Sequence, residues 1–200
     1  MLSHAVGVGP LLDDRTVRAI MLIRANTVAK GHSGIRFQTI QLLLNLLNRN
    51  ILPIIPSRGS LGASGDLAPL AHMSLPLLGV GQVKMDGQTL DAGEALQKAG
   101  LEPIKLAAKE GLALTNGTTM MTAIAALLVH SAETLVESAN CAGALTLEAQ
   151  NGTLRAFMPQ IHAARPQKFQ ADIAKRIPTL VQGSQLTRPD NSSNVQDAYT

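Results

Sequence analysis

The stretch RGSLGASGDLAPLAH, residues 58–72, places the small residues Ala63, Ser64 and Gly65 in a glycine-rich loop that leads into an apolar helical pattern. A phosphate-binding cradle is one interpretation, but no Lys-Ser or Lys-Thr pair follows the glycines and no dinucleotide-binding pattern is present. The G-x-S-x-G pattern of a nucleophile elbow is not matched either. Two interpretations remain, a short turn and a bend in which the backbone itself reacts.

A reacting backbone needs an unusually tight bend, and the residue types in this loop suit one. For the Gly65 amide nitrogen to attack the Ala63 carbonyl, the chain must fold so closely that larger side chains would obstruct it. Ser64 can then lose its hydroxyl as water, which leaves a five-membered ring with an exocyclic methylene, an electrophile. The N–H groups and dipole of a following helix would stabilise negative charge that develops on such a ring. Composition by itself favours the simple turn.

Apolar periodicity predicts two helices before the loop. An aspartate at position 13 or 14 can cap a helix that ends at Gly31, and a second helix follows from about Gly34. Pro53 and Pro56 then interrupt the pattern, because a proline disfavours helical geometry in the residue before it. These elements lead the chain into the loop.

The elements after the loop are predicted from capping and turn residues. Asp66 is placed as the N-cap of a helix that starts directly after it, and Pro76 should kink or weaken that helix. Asp86-Gly87 between short extended runs predicts a hairpin. Asp91 with Glu94 three residues later resembles a capping box at the start of a short helix.

One long helix is predicted from Thr118 to about Gln150, with apolar residues on more than one side. Such a helix needs more neighbours than 200 residues supply, which favours packing between subunits. A shorter helix follows around 167–182. The predicted fold class is mainly α, a bundle of long helices with a small β-hairpin near 82–90, and residues 1–200 are expected to form a single partial domain.

Composition excludes several classes of function. The net charge is only +3 and the 17 basic residues are scattered, which argues against nucleic-acid binding. The His and Cys residues lack metal-ligand spacing, so no metal or nucleotide is expected; His72 and His162 are assigned to structure, and Cys141 to a small buried position. A cytoplasmic protein without membrane contact is expected, because the N-terminus is not signal-like and the apolar run 123–129 is too short to span a bilayer.

Three separated segments, residues 58–72, KEGLALTNGTT at 109–119 and VQDAYT at 195–200, resemble the histidine ammonia-lyase branch of the aromatic amino acid lyases. They occur in that family's order. The resemblance implies that the Ala-Ser-Gly triplet becomes 4-methylidene-imidazol-5-one, the MIO prosthetic group. It also implies a long-helix bundle that assembles as a homotetramer, with active sites that draw residues from several subunits.

The resemblance implies a role for each residue of the loop. Ala63, Ser64 and Gly65 would form the electrophile that captures the amine of a small amino acid substrate. Asp66 would assist ring formation or orient the loop. Asn116 would hold the ring or the substrate carboxylate.

Residues outside the loop also match the family's active site. Gln196 and Tyr199 match its VQD-x-Y pair, with Tyr199 hydrogen-bonding near the ring. Ser3-His4 matches the dipeptide that contacts the substrate imidazole in the histidine branch, whereas phenylalanine-specific and tyrosine-specific relatives differ there. The spacing from His4 to Ala63 and Asn116 agrees with the histidine branch.

The resemblance is incomplete. The chain is less than half as long as a subunit of that family, and it is expected to lack three parts: the loop tyrosine that acts as general base, the arginine that binds the substrate carboxylate, and the C-terminal helical region. Losing a general base typically costs about 10²–10⁴-fold in rate, so this chain alone is expected to have little or no activity. Ala198 and Thr200 depart from the commoner VQDPYS, which bears on the local turn and on the substrate.

Three functions are weighed on these residues. The leading one is an ammonia-lyase that converts L-histidine to trans-urocanate and ammonia. A phenylalanine or tyrosine ammonia-lyase, or an aminomutase with the same ring, is the alternative within the family, and Ser3-His4 speaks against it. The alternative from another class is a non-catalytic helical assembly module with an unprocessed loop.

Overall fold

The computed structural model of the chain describes residues 1–61 and 64–188. These residues form two compact units, one covering residues 1–128 and one beginning at Val129. The mainly α fold class is confirmed, with eight α-helices and five short strands in the described residues. The expectation of a single partial domain stays a prediction, because two compact units need not be two independently folding domains.

The first unit contains both small sheets and most of the helices. Its elements, in chain order, are a 3₁₀ turn Leu2–His4, β1 (Val8–Leu11), α1 (Asp14–Ala29), α2 (Phe37–Asn48), β2 (Leu52–Pro53), β3 (Pro56–Arg58), α3 (Leu67–Ser74) with a 3₁₀ extension Leu75–Leu78, β4 (Gln82–Met85), β5 (Gln88–Asp91), α4 (Ala92–Lys98), α5 (Glu110–Thr115) and the start of α6 (Thr119–Ala149). The change from α to 3₁₀ geometry at Leu75 agrees with the weakening of the helix expected at Pro76.

The second unit consists of the remainder of α6 and three shorter elements. These are a 3₁₀ turn Arg155–Phe157, α7 (Pro159–Ala164) and α8 (Lys168–Leu180), and α8 confirms the helix predicted around 167–182. Arg176 on α8 pairs with Glu137 on α6. Cys141 is exposed on α6 in the described chain, so its expected burial is wrong there.

The strands go beyond the predicted hairpin. The hairpin β4–β5 is confirmed, and β2 adds to it as a third antiparallel strand in the order β2-β4-β5. A separate two-stranded sheet pairs β1 with β3, with Val8 opposite Arg58. Neither β1 nor β3 has an apolar alternation, because β1 is exposed throughout and β3 begins with Pro56. Their pairing is therefore decided by neighbouring elements rather than by local pattern.

The core of the first unit is aliphatic, as the low aromatic content predicts. Helices α1 and α2 pack on each other. The largest side chains that are almost fully buried in this unit are Ile20, Met21, Leu43, Leu46, Ile51, Leu52, Ile55, Leu70, Met73, Leu77, Leu96 and Leu114. Burying such side chains stabilises a fold by about 1.5–3 kcal/mol each.

Of the three predicted N-caps, one is formed by the side chain as expected and two are not. The Asp13 carboxylate accepts hydrogen bonds from the Thr16 N–H at 3.0 Å and from its hydroxyl at 2.7 Å, so the predicted cap of α1 is confirmed. Asp66 and Asp91 stand at the N-cap positions of α3 and α4, but neither side chain caps its own helix. The capping box predicted at Asp91 is therefore not formed.

Helix α6 is the one helix in the described ranges that is long and apolar enough, by length and composition, to cross a membrane. The helix has 31 residues, so the apolar element is much longer than the run 123–129 from which the sequence was judged too short to span a bilayer. Only 17% of its most apolar 18-residue stretch is buried in the described chain. Glu133 and Glu137 lie near its middle, where a carboxylate would be costly in hydrocarbon.

Glu110, the first residue of α5, ties this short helix to α2. Its side chain is 1% exposed. The carboxylate accepts hydrogen bonds from the Arg36 N–H at 2.9 Å and guanidinium at 2.7 Å, from the Thr39 hydroxyl at 2.7 Å and from the Ala107 N–H at 2.6 Å. The Arg36 guanidinium above all holds the pKa of Glu110 at about 2, below its ordinary value of 4.5.

Glu110 should make the fold sensitive to acid. Between about pH 4.5 and pH 2 the unfolded chain binds the proton more tightly than the folded one, so stability falls as pH falls through that window. Glu110→Gln should lower the free energy of unfolding by about 2 kcal/mol at neutral pH. Its deficit should shrink as the pH approaches 2. The measurement is the thermal midpoint against pH, with exposed Glu102→Gln as control; a deficit that does not change with pH would contradict this role.

Candidate functional site

The loop after β3 makes a sharp bend that only glycine permits at its centre. Ser64 has φ +57° and Gly65 has φ +83°, two successive residues in the left-handed region. The Gly65 backbone forms a parallel bridge with Gly117, at the junction of α5 and α6. A Cβ placed on Gly65 would overlap the Gly117 carbonyl oxygen, so no side chain fits there. The bend and the junction are therefore in direct backbone contact.

Asp66 links the starts of two helices. It is fully buried, and its carbonyl oxygen accepts the first helical hydrogen bond of α3 from the Leu70 N–H at 3.0 Å. Its carboxylate instead accepts from the Met121 N–H at 3.0 Å and from the Ser60 hydroxyl at 2.8 Å. Met121 is the third residue of α6, so the carboxylate caps α6 rather than α3. The expected cap is thus corrected: Asp66 begins one helix with its backbone and the other with its side chain.

Arg24 of α1 holds the other side of the α5–α6 junction. It is 3% exposed, and its guanidinium donates to the carbonyl oxygens of Ala113 and of Asn116, the latter at 2.9 Å. It also donates to the Thr119 hydroxyl at 3.4 Å. Burial lowers the pKa of Arg24, yet an arginine stays protonated in proteins. A cation is favourable at this position because the carbonyls at the end of α5 carry partial negative charge.

His4 and Asn116, two of the predicted site residues, meet at one cavity of about 410 Å³. Met1, Leu67, Lys109, Gly111, Leu112 and Thr115 complete its lining. Asn116 is the C-cap residue of α5 and is exposed, with its amide 3.5 Å from the Leu112 carbonyl oxygen. His4 ends the first 3₁₀ turn, and its Nδ1 lies 3.3 Å from the Ser3 hydroxyl. Both side chains are therefore available to a small molecule in the cavity.

His72 on α3 fixes the segment that follows His4. Its Nε2 accepts a hydrogen bond from the Gly7 N–H at 3.1 Å, so this ring nitrogen carries no proton. Burial lowers the pKa of His72, which keeps the ring in this neutral accepting form. The structural role assigned to His72 agrees with this contact.

Several predicted site residues are not placed. Ala63, Gln196 and Tyr199 lie outside the described residues, and so do Ala198 and Thr200. Within the described ranges, no group of three or more His, Cys, Asp or Glu side chains could hold a metal ion.

Arg24 is a site residue outside the sequence motifs, and Gly117 lies within the 109–119 segment but has no role assigned from the sequence. A signal for Arg24 does exist, because it falls on the same helical stripe as the buried Val17, Ile20 and Val28. A charged residue on an apolar stripe is a buried charge that needs partners. Gly117 has φ +147° and a Cβ on it would lie 2.7 Å from the Arg24 guanidinium, a contact no local pattern reveals.

Comparisons with known proteins agree with these motifs. The family model for aromatic amino acid lyase matches residues 1–200. A histidine ammonia-lyase from Chloroflexus aurantiacus is 55% identical over 200 residues, which are 100% of this chain and 38% of the relative. The chain thus spans about two fifths of the length of the curated relatives it matches.

Solved structures share the fold. The histidine ammonia-lyase of Trypanosoma cruzi matches with a TM-score of 0.83 and 40% identity, over 88% of this chain and 35% of that one. The phenylalanine ammonia-lyase of the yeast Rhodosporidium toruloides matches with a TM-score of 0.89 and 33% identity, over 98% of this chain and 34% of that one.

The Gly65 contact predicts an unusually large effect for a single methyl group. Gly65→Ala should cost about 4 kcal/mol or more in the free energy of unfolding, because the methyl group would overlap the Gly117 carbonyl. Gly87→Ala is a matched control, since Gly87 has φ +78° but nothing within 4 Å of an added Cβ. It should cost only the conformational strain, about 1–2 kcal/mol. Equal losses in denaturant unfolding would show that Gly65 is not closely packed.

Proposed function

Since the chain belongs to the aromatic amino acid lyase family, we propose that the whole protein is a carbon–nitrogen lyase that converts L-histidine to trans-urocanate and ammonia. The observation that carries this proposal is the bend at Ser64 and Gly65, which packs against Gly117. Leu67, two residues after the bend, and Asn116, directly before Gly117, line the same cavity as His4. The cavity has the size that suits a small ligand.

The loop residues fit a ring that forms from the chain itself. The Gly65 nitrogen bonds to the Ala63 carbonyl carbon, and that carbonyl oxygen leaves as water with the amide protons of Ser64 and Gly65. A second water takes the Ser64 hydroxyl and the hydrogen on its Cα, which leaves a methylene group. The left-handed conformations of Ser64 and Gly65 support this closure, since they already turn the chain back on itself. The product is MIO.

MIO supplies an electrophile that takes up the substrate amine and turns ammonia into a good leaving group. The chain's own residues orient the substrate around it. His4 reaches the cavity from one side and contacts the substrate imidazole, and Asn116 reaches it from α5 and holds the substrate carboxylate or the ring. Asp66 keeps the loop oriented by its hydrogen bonds to Ser60 and α6. The family resemblance assigns Gln196 and Tyr199, which lie outside the described residues, to the same site.

The fold alone does not decide the substrate. The phenylalanine ammonia-lyase of Rhodosporidium toruloides has the same fold, so a phenylalanine or tyrosine ammonia-lyase, or an aminomutase, is the alternative within the family. Ser3-His4 favours histidine, because an imidazole side chain pairs with another imidazole by hydrogen bonding and a phenyl ring offers no such partner. A non-catalytic helical module is the alternative that an unreacted loop would support.

Assembly and location follow from the same proposal. The exposed apolar residues of α6 include Leu128, Leu135 and Leu145, and they favour packing against other subunits in a homotetramer. We expect a cytoplasmic enzyme whose active site needs groups beyond these 200 residues. The 200-residue chain alone should therefore have little or no activity.

Ring formation can be measured directly on the whole protein. Its intact mass should be lower than the encoded mass by two water molecules, and Ser64→Ala should restore a mass without dehydration. The variant should also lose turnover of histidine, because the electrophile is absent. Near-ultraviolet absorption reports the same change. A wild-type protein with the encoded mass and an active Ser64→Ala variant would overturn the proposal.

His4 should set the substrate preference. His4→Leu should lower kcat/KM for histidine by about 10- to 100-fold, because the substrate imidazole loses a hydrogen-bond partner. The rate with phenylalanine should fall less or rise. His32→Leu, at an exposed histidine away from the cavity, serves as the control. An unchanged preference among histidine, phenylalanine and tyrosine would remove His4 from the substrate site.

A further inference from the structure

Arg24 is a buried cation without an acidic partner in the part of the chain that the structure describes. Its neighbours on the buried face of α1 include the apolar Ile20, Met21 and Val28. Burying a charge is costly unless hydrogen bonds compensate, and its Nε finds no hydrogen-bond partner among the described residues. A leucine or methionine would fill the same position at lower cost. The cation therefore needs an explanation beyond packing.

The hydrogen bonds of Arg24 all go to the junction of α5 and α6. One nitrogen donates to the carbonyl oxygens of Ala113 and Asn116, and another reaches the hydroxyl of Thr119, the first residue of α6. The planar guanidinium thus spans the turn that contains Gly117. Because its donors are held in a rigid plane, they fix the relative positions of these acceptors.

Gly117 connects Arg24 to the reactive bend. On one side, a Cβ on Gly117 would lie 2.7 Å from the Arg24 guanidinium. On the other side, the Gly117 carbonyl oxygen accepts a hydrogen bond from the Asp66 N–H at 2.7 Å and lies against Gly65. A shift of the junction toward the space of a missing guanidinium would move this carbonyl away from the bend.

We propose that Arg24 is a positioning residue for ring closure: it holds the Gly117 peptide against Ser64 and Gly65, so that the tripeptide stays compressed while its ends react. The inference rests on the proposed function, because it concerns the closure of the same ring. Arg24 lies behind the junction backbone and does not line the cavity. It acts on the maturation of the ring.

The test is Arg24→Met in the whole protein, which keeps an unbranched side chain and removes the charge and every donor. The matched control is Ile20→Ala, a fully buried residue of the same helix whose aliphatic side chain makes no hydrogen bond. Both variants should lose stability, so their thermal midpoints are measured together with ring content by intact mass and near-ultraviolet absorption. Ring closure should be slower by about tenfold or more in Arg24→Met, because small displacements of reacting atoms are costly. In Ile20→Ala it should stay close to the wild-type rate.

The rate of ring closure, compared between the two variants at similar thermal midpoints, separates positioning from a general structural role. Total activity should fall in Arg24→Met at least as far as the ring content does. Equal loss of ring in both variants at similar thermal midpoints would overturn the proposal, and so would a full ring in Arg24→Met. If Arg24→Met does not fold, Arg24→Lys takes its place, and full ring closure in that variant counts against the proposal. A wild-type protein without a ring would instead refute the proposed function itself.

Discussion

The close contact of two glycine backbones, Gly65 and Gly117, is the constraint on which the site depends. A single methyl group on Gly65 would overlap the Gly117 carbonyl oxygen, so the contact exists only because Gly65 lacks a side chain. It brings a loop after β3 against the junction of α5 and α6. The sharp conformations of Ser64 and Gly65 are held by this contact and not by regular secondary structure.

Buried charges arrange the elements around that contact. Glu110 stands in the first turn of α5 and Arg24 lies at its last carbonyls, so each charge complements the helix dipole at its end. The Asp66 carboxylate likewise complements the helix dipole at the start of α6, where it accepts a hydrogen bond from the Met121 N–H. Buried charges add little net stability on average, because desolvation offsets their attraction. Their hydrogen bonds specify where the helix ends lie, which is what a compressed loop requires.

Much of the fold could be predicted from periodicity, while long-range polar contacts could not. Apolar spacing predicts α1 and α6, and Asp86-Gly87 predicts the hairpin, because these signals are local. Asp66 shows the limit. Its position before α3 predicts a cap for that helix, but its carboxylate goes to α6, which lies more than fifty residues later in the chain. The pairing of β1 with β3 is likewise decided by distant elements.

The candidate site shows the same difference between what local sequence signals predict and what long-range contacts decide. Motif spacing identifies His4 and Asn116, and the structure places both at one cavity. Arg24 is recognisable only as a charge on an apolar stripe, and what it binds depends on how α1 packs on α5. Gln196 and Tyr199 stay predictions, because they lie outside the described residues.

The most direct test of the account is a high-resolution electron density map of the whole, folded protein at residues 63–65. The account predicts continuous density between the Gly65 nitrogen and the Ala63 carbonyl carbon, closing a five-membered ring with a planar methylene carbon at position 64. An ordinary open Ala-Ser-Gly tripeptide with an intact Ser64 hydroxyl would contradict it.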